Sequence, residues 1–370
     1  MKPFQIDVDK AELDDLWRRI AGTRWVRQAG GDGWDRGVPE SYLRELADYW
    51  QNGYDWFAAQ DELNRIPQYT TTIDGATVHV VHARSAVPDA VPVLITSGWP
   101  GSLAEFIDVI GPLNACGFHV VVASIPGYGF STPLTEPGWD VPRVARAWLE
   151  LMGRLGYDRF VVQGGDWGSF ISLEMARTAP ERVLGAHVNF LTVLPSGDPD
   201  ELAGLDEEDQ RRLAGLARFD ADGTGYFKLQ STRPRTPAYA LNDSPVGLLA
   251  WIAEKYVEWS GPGEATIDRD RLLTSVMLYW LPGAIGSSMQ MYYEVERLRR
   301  AADSPPPAVT VPVGVAVYAY DVFLPVRRLA ERDHPSITHW DEFDRGGHFP
   351  ALEVPELYVR SVRDFARTLS

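Results

Sequence analysis

Apolar and polar positions change period several times along this chain. Residues 1–70 carry helical spacing. In DKAELDDLWRRIAGTRW apolar side chains recur every three to four positions behind Asp9, a residue suited to capping a helix. VPESYLRELADYWQNGYDWFAAQDELNRI continues the pattern. This stretch is short and aromatic-rich, which predicts a helical extension wrapped on a larger core. From about residue 70 the signature becomes β-like. QYTTTIDGATVHVVHARS places β-rich runs on either side of an Asp-Gly turn and predicts a hairpin. The runs VPVLITSGWP, FHVVVASIPGYG, FVVQGG and VLGAHVNFL then alternate with the helical stretches SLAEFIDVIGPLNA, VPRVARAWLELMGRLG and SFISLEMARTAP. Continuous apolar strands separated by helices predict a mostly parallel sheet covered on both faces.

The alternation stops near residue 191. Residues 191–305 read as helices and turns, ADSPPPAVTVP is a proline-rich connector, and strand signals return in VPVGVAVYAYD and ITHWDEFDRGG before a last helix, PELYVRSVRDFARTL. Four segments are therefore expected: a helical extension over 1–70, the first part of an α/β core over 71–190, a helical lid over 191–305, and the second part of the core over 306–370.

Composition narrows the function. The chain has 370 residues, ample for a buried core, with 45% apolar and 23% charged residues. A formal net charge of −16 repels phosphate backbones, so nucleic acid and anionic membranes are poor partners. A single cysteine, Cys116, rules out an intrachain disulfide or a cysteine metal cluster, and in LNACGFHVVV it reads as a buried small residue ahead of a strand. The N-terminus has no signal-peptide pattern, and no apolar run reaches the ~18 residues of a membrane span. A cytoplasmic protein is expected, and a homodimer is compatible with the sequence.

The chemistry centres on GGDWG, residues 164–168. The α/β-hydrolase nucleophile turn is G-x-S-x-G, with serine on a tight strand-to-helix bend. Here Asp166 stands in that place. Asp321 follows VGVAVYAY and His348 lies in DRGGHFP, so three residues sit after strands in the order nucleophile, acid, histidine. Singly, an aspartate after a strand is more often a cap or turn residue and a histidine after Gly-Gly a loop residue; together, at three strand ends, they read as a site. Asp341 and Asp344 compete with Asp321 but lie on or beside the last strand. The loop TSGWPGS follows the third strand, and backbone N–H groups of Trp99 and Trp167 would form the oxyanion hole. The expected fold is an eight-stranded α/β-hydrolase sheet with the lid inserted after the sixth strand.

A carboxylate nucleophile suits an sp3 carbon bearing a leaving group, because attack gives an alkyl ester. Water activated by His348, with Asp321 orienting the imidazole, then cleaves that ester. The substrate is thus an epoxide or a halide. Epoxide opening is helped by O–H donors facing Asp166, and the lid offers Tyr226, Tyr239, Tyr256, Tyr279, Tyr292 and Tyr293. Residue chemistry alone does not choose among them.

Beyond these residues the chain resembles the microsomal-type epoxide hydrolases. The resemblance runs through GWDRGVPESYLRELADYW…YDWFAAQDELN, GWPGS, GGDWGS, ALNDSPVGLLAWIAEKY, LYWLPGAIGSS and DRGGHFPALEVPE. It implies Asp166 as nucleophile, His348 as base, Asp321 as acid, Tyr226 and Tyr292 as donors to the epoxide oxygen, and Trp99 and Trp167 at the oxyanion hole. It implies an epoxide and water as partners, and no metal or cofactor. Two departures stand out: Ser97 replaces the histidine of the usual H-G-W-P, and no counterpart of the mammalian members' membrane anchor is expected. Trp251 and Trp280 in the aromatic lid, with Trp259, suggest a pocket for an apolar, aryl-type epoxide, although core packing would use them equally well. A haloalkane dehalogenase with the same nucleophile and a catalytically weakened ligand-binding relative remain the alternatives.

Overall fold

The computed structural model describes residues 1–26, 31–263, 266–302, 304 and 306–369. The expected lid end at residue 305 lies outside the described residues. Among the described residues nine strands form one sheet: β1 (Lys2–Phe4), β2 (Gln68–Ile73), β3 (Ala76–Ala83), β4 (Val91–Thr96), β5 (Phe118–Ala123), β6 (Phe160–Gly164), β7 (Val183–Val188), β8 (Val313–Tyr318) and β9 (Ile337–Phe343). Their order is β1-β2-β3-β5-β4-β6-β7-β8-β9. The pairings from β5 through β4 to β9 are parallel, and β1, β2 and β3 add antiparallel ladders at one edge. The eight expected strands are all present. The ninth, β1, corrects the helical reading of the N-terminus: three residues are too few to show a period, and β1 forms because β2 offers an open edge.

The central strands are apolar along their whole length because both faces are covered. All six residues of β8 and all five of β6 are buried. Helix Val141–Arg154 shows how the helices fit. Asp140 caps it by accepting from Arg143 N, and one face buries Val144, Trp148, Leu151 and Met152. Helix Ile107–Ala115 ends at Cys116, which is exposed rather than buried. The chain turns there through Gly117, at φ +89°, so Cys116 sits outside the sheet.

The lid enters between β7 and β8, after the sixth of the eight expected strands. Its main helices are Glu207–Arg218, Gly225–Thr232, Arg235–Asp243, Pro245–Glu258, Arg269–Trp280 and Gln290–Ala301. The N-terminal segment clamps this lid. Arg19 bonds Asp243, Tyr49 donates to Asp270, Tyr54 meets Thr274 at 2.9 Å, and Arg271 grips Glu62 at 2.6 and 2.9 Å. Among the described residues no single helix is long and apolar enough to cross a membrane; one pair bent by 87°, Arg269–Trp280 with Ile285–Ala301, is long and apolar enough only when taken together.

Candidate active site

Asp166 ends the β6 turn with φ +50° and ψ −128°, and the next helix, Trp167–Thr178, starts at once. A positive φ in a non-glycine residue costs of order 1–3 kcal/mol and survives only where the surroundings impose it. Several contacts impose it here. Ser169 Oγ donates to the carbonyls of Asp166 at 2.7 Å and Phe190 at 2.6 Å. Beneath the turn, Tyr358 donates to Gln163 at 2.6 Å and Gln163 donates to Asn189 at 2.8 Å. Glycine is required at two close approaches. A Cβ on Gly168 would stand 1.8 Å from the Thr96 carbonyl oxygen, and one on Gly98 would stand 1.9 Å from Asp166 Oδ1. The helix and the 97–101 loop therefore close on the carboxylate from two sides.

Both carboxylate oxygens have distinct neighbours. Trp99 N–H donates to Oδ1 at 2.9 Å. Oδ2 lies 3.5 Å from His348 Nε2, too long for a strong hydrogen bond. On the other side of the ring, His348 Nδ1 meets Asp321 Oδ1 at 2.7 Å, and Val322 N–H donates to the same oxygen at 2.8 Å. The His348 side chain is 3% exposed. Burial by itself pushes this imidazole down, but Asp321 and Asp166 together outweigh burial and raise it to about 10. Asp341 is engaged elsewhere, at 3.0 Å from His339 Nε2. Trp167 is the first residue of the helix behind the nucleophile.

The lid sets two tyrosines over Asp166, His348 and Asp321, the candidate triad. Tyr226 stacks on Trp99, centroids 5.4 Å apart at 12°. Tyr292 stands edge-on to Trp167 at 4.8 Å and 5.9 Å from Tyr226. Burial, reinforced by Asp166, pushes the Tyr226 hydroxyl far above the usual range, and burial with Tyr226 and Asp166 does the same to Tyr292. Both therefore stay protonated, as O–H groups able to donate hydrogen bonds. The other lid tyrosines are placed differently. Tyr279 donates to the Gly101 carbonyl at 2.8 Å, Tyr256 stacks on Phe349 at 4.2 Å, Tyr239 is 79% exposed, and Tyr293 is exposed too.

Trp251 and Trp280, singled out by the aromatic content of the lid, have other partners: the Trp251 indole donates to Gln230 at 3.2 Å, and Arg19 lies 5.9 Å over Trp280. The lid tryptophan that meets the triad is Trp259, 5.0 Å from His348 and 5.2 Å from Tyr226. Its carbonyl also accepts the His348 N–H at 2.7 Å. Phe190 closes the far side of His348 at 5.1 Å, and Phe227 packs on Tyr292 at 5.3 Å. These walls are apolar.

Sequence reasoning passed over a polar group beside the triad. A cavity of about 20 Å³, room for one water molecule, is lined by Asp166, His348, Glu105, Gln163, Asn189 and Ser97 among others. Glu105 is buried and closes a capping box with Ser102, accepting its N–H at 2.8 Å. Burial raises its carboxyl to about 8 against the pull of that hydrogen bond. Gln163 and Asn189 could have been noticed as polar residues at the ends of otherwise apolar strand runs. Among the described residues no group of three or more His, Cys, Asp or Glu is placed to hold a metal ion.

Comparison with known proteins bears on the family and the fold. The family described as epoxide hydrolase N terminus matches residues 1–106, and the alpha/beta hydrolase fold family matches residues 91–219. A Stigmatella aurantiaca relative is 41% identical over 99% of this chain and 85% of its own length. Epoxide hydrolase 1 of Sus scrofa is 34% identical over 99% of this chain and 88% of its own. The crystal structure of juvenile hormone epoxide hydrolase from the silkworm Bombyx mori superposes with a TM-score of 0.92 at 30% identity, covering 100% of this chain and 94% of that one. Likeness over nearly the full length to these relatives, with the family matches at both the N-terminal segment and the α/β core, places the chain in the microsomal-type epoxide hydrolase family of the α/β-hydrolase superfamily.

Proposed function

We propose that this chain converts an apolar epoxide to a vicinal diol through an ester on Asp166. The observation that carries the reading is the line Trp99 N–H, Asp166, His348, Asp321 under two buried tyrosines. A carboxylate oxygen of Asp166 attacks one epoxide carbon. The ring C–O bond breaks, its electron pair passes to oxygen, and Tyr226 or Tyr292 supplies a proton. The products are a hydroxyalkyl ester and a tyrosinate.

Ester formation removes the negative charge of Asp166, so His348 loses one of the two anions that hold it protonated. The proton it gives up restores the tyrosinate. Neutral His348 then takes a proton from water in the small cavity, and hydroxide attacks the ester carbonyl. The tetrahedral oxyanion is met by the backbone N–H groups of Trp99 and Trp167. On collapse, the departing alkoxide takes the imidazolium proton, and the carboxylic acid returns its own proton to His348. Asp321 orients the ring throughout. The rings of Phe190, Phe227 and Trp259 favour an apolar, aryl-type substituent.

Intact-mass spectrometry of a His348→Gln variant incubated with aryl and aliphatic epoxides tests this reading. The expected result is a gain of one whole epoxide mass, mapped to Asp166. No adduct, together with no diol from the wild type and halide release from haloalkanes, would move the assignment to a dehalogenase.

A further inference from the structure

Helix Pro245–Glu258 carries a lysine that the mechanism above does not use. Lys255 is 4% exposed, and lysines are rarely buried so fully. Its ammonium pairs with Glu254 at 2.6 Å and Glu258 at 3.1 Å. Glu254 is only half-buried and Glu258 is exposed, so these ion pairs are a weak source of stability. The position of the charge is more informative. Lys255 Nζ lies 5.2 Å from the ring centre of Tyr226 and 5.6 Å from that of Trp259. Those two rings flank the triad. Tyr226 stacks on Trp99, whose N–H holds Asp166, and Trp259 packs on His348.

We propose that Lys255 is a positioning residue that makes Tyr226 a stronger proton donor during epoxide opening. The inference rests on the reading of Tyr226 as a donor to the epoxide oxygen. A cation is attracted to the negative face of an aromatic ring. As Tyr226 passes its proton to the opening epoxide, negative charge builds on the ring system, and the attraction grows. The contact is therefore stronger in the transition state than at rest, which is the condition for lowering a barrier. Glu254 and Glu258 fix the ammonium in place, and the Trp259 N–H donates to the Lys255 carbonyl at 3.0 Å, tying the same turn to the ring beside His348.

The test is transient kinetics with styrene oxide as the probe, resolving ester formation from ester hydrolysis. Lys255→Met should slow ester formation about 10-fold, the size of a well-placed cation–π contact, and leave ester hydrolysis within about 2-fold. Lys255→Arg should restore most of the rate. In a Tyr226→Phe background, Lys255→Met should change ester formation by less than about 2-fold, because the O–H it acts through is gone. A Glu254→Gln, Lys255→Met, Glu258→Gln triple variant leaves no unpaired carboxylate, and should show the same selective defect with a wild-type melting transition.

Equal slowing of both steps, the same slowing in the Tyr226→Phe background, or no slowing at all would each overturn the proposal. If Tyr226→Phe alone forms ester at the wild-type rate, the donor reading of Tyr226 fails, and the role of Lys255 fails with it. If Tyr226→Phe is slow while Lys255→Met is normal, only the role of Lys255 fails.

Discussion

Trp99 N–H holds Oδ1 of Asp166 at 2.9 Å, while Oδ2 faces His348 Nε2 at 3.5 Å. In the proposed mechanism the oxyanion donor is thus bonded to the nucleophile before any chemistry begins. Oδ1 is suited to become the ester carbonyl oxygen, whose developing charge the Trp99 N–H already addresses, and Oδ2 is left to form the new bond to carbon. Isotope transfer follows from this division. A single turnover in 18O-labelled water should leave the label in the Asp166 carboxylate and release unlabelled diol. Label in the first-turnover diol would mean direct attack of water on the epoxide.

His348 should titrate far from an ordinary histidine. Raised from 6.5 to about 10, its stabilising contribution is complete below 6.5 and is lost as pH rises through about 10. Asp166→Asn imitates the uncharged ester and removes one of the two anions. NMR titration of the His348 ring should place it near 10 in the wild type and lower by at least about one unit in Asp166→Asn. An unchanged value in the variant would contradict the release of a proton on ester formation.

The two lid tyrosines should act on one half-reaction. Tyr226→Phe and Tyr292→Phe should each slow ester formation by about 10²-fold, the usual worth of a positioned acid. Ester hydrolysis should change far less, because the tyrosines donate to the epoxide oxygen and not to the ester. Rapid-quench measurement of both steps checks this, and equal slowing of the two would argue against the assignment.

Gly168 and Gly225 should respond oppositely to alanine. The added Cβ at Gly168 meets the Thr96 carbonyl oxygen at 1.8 Å, an overlap with backbone that should cost about 3 kcal/mol or more. Gly225 opens helix Gly225–Thr232, where an added Cβ would meet nothing within 4 Å. Alanine there should be neutral or stabilising by up to about 1 kcal/mol. Urea unfolding of the two variants measures the contrast.

Glu105 should make stability fall as pH rises. Its carboxyl is raised from 4.5 to about 8, so between those values the folded state holds a proton that the unfolded state has lost. Stability then declines with pH by about 1.4 kcal/mol per unit across that window. Glu105→Gln keeps an acceptor for Ser102 N–H without the titration. The variant should gain on the wild type as pH rises from about 5 to about 8. Parallel stability curves would place the ionisation of Glu105 outside that window.

The sequence by itself determined the α/β alternation, the place of the lid, and the order Asp166, Asp321, His348. These were legible because a parallel sheet aligns the carboxyl ends of its strands, so residues far apart in the chain but just past those ends must meet. The tertiary structure alone decided which lid rings reach the triad. Helical periodicity marks a buried face but not what that face touches, so by pattern alone Tyr226, Tyr279, Trp251 and Trp259 all looked alike, and only the family resemblance singled out Tyr226 and Tyr292. Docking of the lid on the 97–101 loop sent Tyr226 over Trp99 and Tyr279 to the Gly101 carbonyl, and put Trp259 rather than Trp251 or Trp280 beside His348. Strand β1 and the exposure of Cys116 were hidden for a similar reason: each depends on an edge or a turn that local periodicity does not register. The buried Lys255 was silent too, because a charge in a helix looks solvated until the packing shows that two rings lie under it.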